Sequence, residues 1–113
     1  MTGESAAIAW QIDGAKIHRY LLNASHPRGA SKARYLLGFG FTPADPGALA
    51  KALVEHAHGN PPGVAAVSPK GIPLVVFEGV VQAPDGRAMP LRTVWEPREP
   101  LEMRFVTAVP LTR

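Results

Sequence analysis

The chain has 113 residues and no cysteine, which sets the scale of one domain, residues 1–113, and excludes disulfides and thiolate metal sites. Hydrophobic residues make up 46% and charged residues 19%, which excludes a disordered chain, and no apolar run approaches a membrane span. The net charge of +3 is modest, but from Lys16 to Arg34 there are five Lys or Arg, two His and no acid, whereas Glu96, Glu99 and Glu102 gather late. A basic face on a small domain points to phosphate-bearing partners. The opening MTGESAAIAWQID lacks the zones of a signal peptide, so the cytoplasm is the expected compartment.

In chain order, Ala6 to Ile12 reads as a short strand or extended arm, broken by Asp13-Gly14. Lys16 to Leu22 sets Ile17, Tyr20 and Leu21 at helical spacing. Pro27 and Gly29 make a loop of Asn23 to Gly29, after which Ser31 is suited to cap a helix running to Leu37. Asp45-Pro46 is a helix start, with Leu49, Ala52, Leu53 and His56 forming its apolar stripe and Gly59-Asn60-Pro61-Pro62-Gly63 stopping it. The period then changes. Val64 to Val67 and Ile72 to Val81 read as strands, Pro84-Asp85-Gly86 as a hairpin turn, and Arg87 to Trp95 and Leu101 to Val109 as two more strands. Helices first and a meander after them predict an α+β fold, with N-terminal helices packed on a roughly four-stranded antiparallel sheet. The other face of that sheet is left to hold a ligand.

The chemistry is narrowed by elimination. Asp13, Asp45, Glu55, Glu78 and Asp85 are scattered, so no paired-carboxylate magnesium site is expected. His56 and His58 are two apart, poorly placed for one helix face, and are expected to sit at a helix end where the dipole favours positive charge. No phosphate-cradling glycine loop and no nucleophile elbow is present. What survives is His, Lys and Arg without metal or cofactor. RNA can be cleaved with these alone, because its 2′-hydroxyl is the nucleophile and the protein has only to move protons and neutralise the phosphate. His26 is the candidate acid or base, Lys32 and Arg28 are candidate phosphate ligands, Arg92 a bidentate fork and Thr107 a hydroxyl donor. Trp95, Tyr20 and Tyr35 offer faces for a splayed base. Simpler roles compete: Arg92 can pair with Glu78 or Glu102 across strands, Trp95 suits the core, Tyr20 and Tyr35 suit packing between helices, and Thr93 and Thr107 are ordinary strand residues.

The stretch YLLNASHPRGASKARYLLGFGF, followed by RTVW at Arg92 to Trp95 and FVTAVP at Phe105 to Pro110, resembles a small bacterial family. Its members read YLLN-x-x-HP-x-G-x-SKA, then a TVW strand and a final TAYP-like strand. That family is similar in layout to the barnase–EndoU–colicin–RelE ribonuclease superfamily, and it occurs both alone and as the C-terminal warhead of polymorphic toxins. The likeness covers about Lys16 to Pro110. It implies a metal-independent endoribonuclease toxin acting on cellular RNA such as tRNA, delivered into or made in the cytoplasm, with a cognate antitoxin or immunity protein. A non-catalytic RNA- or protein-binding module on the same fold is the alternative. By the same likeness His26, Lys32, Arg92, Thr93 and Thr107 match the polar positions expected to line the cleft. The expected catalytic residues are then His26, Lys32, Arg92 and Thr107, and the expected substrate-binding residues Arg28, Ser31, Thr93, Trp95 and Tyr35. Two residues depart from the pattern: Val109 stands where an aromatic is usual, and Tyr35 where phenylalanine is common.

Overall fold

The computed structural model describes residues 8–26, 30–99 and 101–111. Strand β1 (Ala9–Gln11) leads into α1 (Gly14–Lys16), which continues as a π-helical turn over Ile17–Leu21. Helices α2 (Ala30–Gly38) and α3 (Pro46–Gly59) follow, then strands β2 (Val64–Val67), β3 (Pro73–Gln82), β4 (Ala88–Arg98) and β5 (Glu102–Pro110). The strands form one sheet in the order β1-β5-β4-β3-β2. The α+β class is as expected, but the sheet has five strands and is mixed: β1 lies parallel to β5, pairing Ala9 with Glu102 and Gln11 with Arg104. A three-residue strand has too little alternation to announce its pairing in the sequence.

Local chemistry explains the best-defined elements. Asp45 accepts a hydrogen bond from the Ala48 amide at 3.3 Å, and Pro46 fills the first turn, so α3 begins where its orphan N–H groups are served. Leu49, Ala52, Leu53, His56 and Ala57 are buried, the face expected of a helix lying on a sheet. On β4 the side chains alternate: Met89, Leu91, Thr93 and Trp95 point into the core, and Pro90, Arg92, Val94 and Glu96 point to the outer face. Trp95, Phe105, Leu21, Leu36, Leu49, Leu53, Met89 and Leu91 are the large, fully buried centre of this core. The β3–β4 hairpin turns at Gly86, whose φ of +91° suits glycine. Arg87 ties that hairpin to the end of α2 by donating to the Gly38 carbonyl at 2.6 Å.

Two local expectations change. Ser31 lies inside the first turn of α2, which already begins at Ala30, so it is not the cap. His56 does not decorate a helix end. It is fully buried, with Nε2 2.6 Å from the Leu91 carbonyl and Nδ1 3.0 Å from Thr93 Oγ1. A carbonyl only accepts, so Nε2 carries the proton and Nδ1 accepts from the Thr93 hydroxyl. Thr93 Oγ1 in turn accepts from the Trp95 indole at 3.0 Å. The relay leaves every polar atom satisfied with His56 neutral, and burial lowers the His56 pKa below its ordinary 6.5.

The β4–β5 ladder is irregular at one point. Trp95 pairs with Phe105 but Val94 pairs with Thr107, so the register passes over Val106. This is a β-bulge, in which one extra residue on β5 bends and re-aims the strand.

Candidate functional site

The π-helical turn starts the site. Its wider turn, closed by the Leu22 amide on the Ile17 carbonyl at 2.9 Å, buries Ile17, Leu21 and Leu22 and leaves Tyr20 half-exposed. Asn23 then folds the chain back: its side chain accepts from the Ser25 amide at 2.9 Å and its carbonyl from the His26 amide at 3.1 Å. That turn sets the His26 imidazole edge-on to the Tyr20 ring, with centroids 5.0 Å apart and planes at 87°. Lys32, one turn into α2, extends its ammonium over the same ring, 5.1 Å from the centroid. The same ammonium donates to Thr107 Oγ1 at 3.0 Å, 75 residues along the chain. His26, Tyr20, Lys32 and Thr107 are thereby brought into one half-buried cluster beside the β5 bulge.

Other residues expected here stand elsewhere. Arg92 lies on the outer face of β4 and directs its guanidinium to Glu78 on β3, the neighbour opposite to β5. Thr93 and Trp95, expected to contact substrate, are fully buried and spent on the His56 relay, so neither has a face for a ligand. Tyr35 is half-buried and donates its hydroxyl to the Pro90 carbonyl at 2.6 Å, a contact that fixes α2 against β4. Burial also raises its phenol above the ordinary pKa. Ser31 is exposed next to Lys32. Arg28 lies outside the described residues.

Two residues gain a part that the sequence did not assign them. Tyr20 is the hub on which both His26 and Lys32 rest. Lys16 donates from its ammonium to the Val106 carbonyl at 2.7 Å and lies 5.9 Å from the Phe105 ring centroid. Nothing local in the sequence announces a contact across 90 positions; the only signal is membership in the acid-free basic run. Among the described residues the ion pairs are Lys51–Glu55, Arg87–Asp85, Arg92–Glu78 and Arg98–Glu96, so neither Lys16 nor Lys32 has a carboxylate counter-ion there. No group of three or more His, Asp or Glu side chains among the described residues is arranged to hold a metal ion. No described helix is long and apolar enough to cross a membrane.

Away from this cluster, a concavity of about 630 Å³ lies on the outer sheet face between Pro61, Pro62, Val64, Leu74, Val76 and Val94, with the Arg92–Glu78 pair at its side.

Comparison with known proteins places this architecture. A solved structure described as a contact-dependent growth inhibition toxin–immunity protein complex from Klebsiella pneumoniae 342 contains a chain with the same fold. The TM-score is 0.68 at 17% identity, over 90% of this chain and 93% of that one. No curated protein matches. The family model for the domain of unknown function DUF6883 matches residues 6–112, and the chain belongs to that family.

Proposed function

We propose that this chain is a toxin domain of the polymorphic or toxin–antitoxin kind, and that it cleaves cellular RNA without a metal ion. The observation that carries the reading is the Lys32–Thr107 bond beside a histidine on a shared aromatic hub. A proton-transfer group, a fixed cation and a hydroxyl meet in one half-exposed cluster, which is what phosphodiester transesterification needs from a protein. In this scheme His26 takes the proton of the 2′-hydroxyl and the 2′-oxygen attacks phosphorus. The bond to the 5′-oxygen breaks, that oxygen is protonated from water, and a 2′,3′-cyclic phosphate remains. Lys32 and Thr107 hold the phosphate oxygens. Arg92 joins them only by leaving Glu78, and a pair this exposed is worth about 0–1 kcal/mol, so exchange for a phosphate is cheap. The same-fold neighbour comes from a toxin–immunity complex, which supports this reading and a cognate immunity protein or antitoxin, acidic enough to cover the basic cluster.

The test is incubation of RNA with the purified chain in EDTA. Cleavage is expected to persist, and His26→Ala is expected to slow it by about a hundred- to ten-thousand-fold, the usual contribution of a positioned acid–base group. Cleavage that appears only with added Mg²⁺ would sink the scheme.

A second reading, a non-catalytic RNA- or protein-binding module, takes support from the outer groove and from the neighbour's description, which covers an immunity protein as well as a toxin. Induced expression in bacteria separates them: a toxin arrests growth, and a binding or immunity module does not.

A further inference from the structure

The β5 bulge carries two lysines, and the ribonuclease scheme uses one. Val106 has no cross-strand partner in the register, and Lys16 occupies its carbonyl. Lys32 occupies the hydroxyl of the next residue, Thr107. Two ammonium groups, delivered by α1 and α2 from opposite ends of the basic run, are thus anchored on consecutive residues of one strand. Each rests near an aromatic ring, Phe105 for Lys16 and Tyr20 for Lys32. Neither has a carboxylate counter-ion among the described residues. Like charges anchored on consecutive residues of one strand without an acid raise each other's energy, and the arrangement is relieved when an anion sits between them. Each ammonium has three donor hydrogens and uses one on β5, so both can still donate to phosphate oxygens. β1 pairs only with Glu102, Met103 and Arg104, so at Val106 and Thr107 that edge of β5 faces no described strand, and both residues are partly exposed.

We infer that Lys16 is a second phosphate-binding residue, which with Lys32 makes a two-armed clamp on the backbone of a single-stranded polynucleotide laid along the outer edge of β5. The inference rests on the ribonuclease reading. Lys16 binds and orients substrate; it moves no proton.

The test is the salt dependence of binding of a fluorescein-labelled single-stranded 2′-O-methyl oligoribonucleotide, which lacks the nucleophile and stays intact, measured by anisotropy with the full chain. Each phosphate contact with a single strand contributes about 0.7 to the slope of log affinity against log salt. Lys16→Gln is expected to flatten the slope by about 0.7 and to weaken binding at low salt by roughly tenfold. Lys16→Arg is expected to restore the slope. Lys51→Gln, an equal loss of charge on the exposed side of α3, is expected to leave it unchanged. If the wild-type chain binds and Lys16→Gln keeps the wild-type slope, the clamp is overturned while the ribonuclease reading stands. If the wild-type chain does not bind the oligonucleotide, both fall.

Discussion

His56 is the residue whose chemistry has the clearest thermodynamic signature. Its folded pKa lies below 6.5, so the unfolded chain takes up the proton first as pH falls. Its contribution is fully present above about pH 6.5 and is lost as pH drops through that value toward the lower folded pKa. Denaturation measured between neutral and mildly acidic pH should show falling stability, and nitrogen NMR should find His56 protonated on Nε2 with Nδ1 bare. A His56 resonance that titrates at the ordinary value would contradict the relay. Thr93→Val removes the middle of the relay and leaves the Trp95 indole and His56 Nδ1 without a partner, at about 1–3 kcal/mol. Urea denaturation with an unchanged slope reads this directly. The sequence offers Trp95 as a substrate contact because its ring suits a base, and Thr93 because the family likeness places it in the cleft. Side-chain type does not reveal that a histidine on α3 reaches them through the core.

At the scale of elements, the start of α3, the hairpin turn and the antiparallel meander are legible in the sequence, and the parallel pairing of β1 and the fine register are not. Asp45-Pro46 and Pro84-Asp85-Gly86 act through neighbours in the chain, so they read correctly from the sequence, as does Val64–Val67. The parallel β1 and the bulge depend on partners far along the chain, and no local pattern encodes them. Asp45→Ala should destabilise α3 by about 1 kcal/mol, observable as a lower urea midpoint. Gly79 meets a different constraint. A Cβ there would run into the Asn60 side chain, which is pinned by bonds to the His56 carbonyl at 2.7 Å and the Val80 carbonyl at 3.1 Å. Gly79→Ala should therefore lose about 1–3 kcal/mol. In a double-mutant cycle with Asn60→Ala the two losses should be less than additive, because the second change removes the obstacle. Strict additivity would show that the two do not collide.

For the molecule as a whole, the sheet divides two kinds of surface. The helix side is filled by the core, and the polar cluster sits at the edge of β5 where α1 and α2 reach round it. The outer side carries the groove and, at the far edge, β2 with Val64 and Val67 66% and 69% exposed. An apolar edge strand with unpaired backbone invites another strand. Val67→Lys should change unfolding stability by no more than about 0.5 kcal/mol while lowering concentration-dependent association in light scattering. Equal association by both proteins would show that β2 is not the adhesive edge. The α+β class and the weight of the basic run are legible because amphipathic period and charge spacing are local. Tyr20 reads from sequence as a stacking face or a packing residue and Lys16 as one member of the basic run; their contacts with Lys32 and with β5 exist only once the chain is folded.

The skipped pairing at Val106 has a genetic corollary. Phe105 and Ala108 both face inward although they are three positions apart, which an unbroken pleat forbids. Parity, not any particular side chain, turns the segment between them toward the two lysines. Deleting the Val106 codon would straighten the ladder, keeping Thr107 opposite Val94 but removing the carbonyl that Lys16 holds, whereas replacing Val106 by another β-branched residue would pass almost unnoticed.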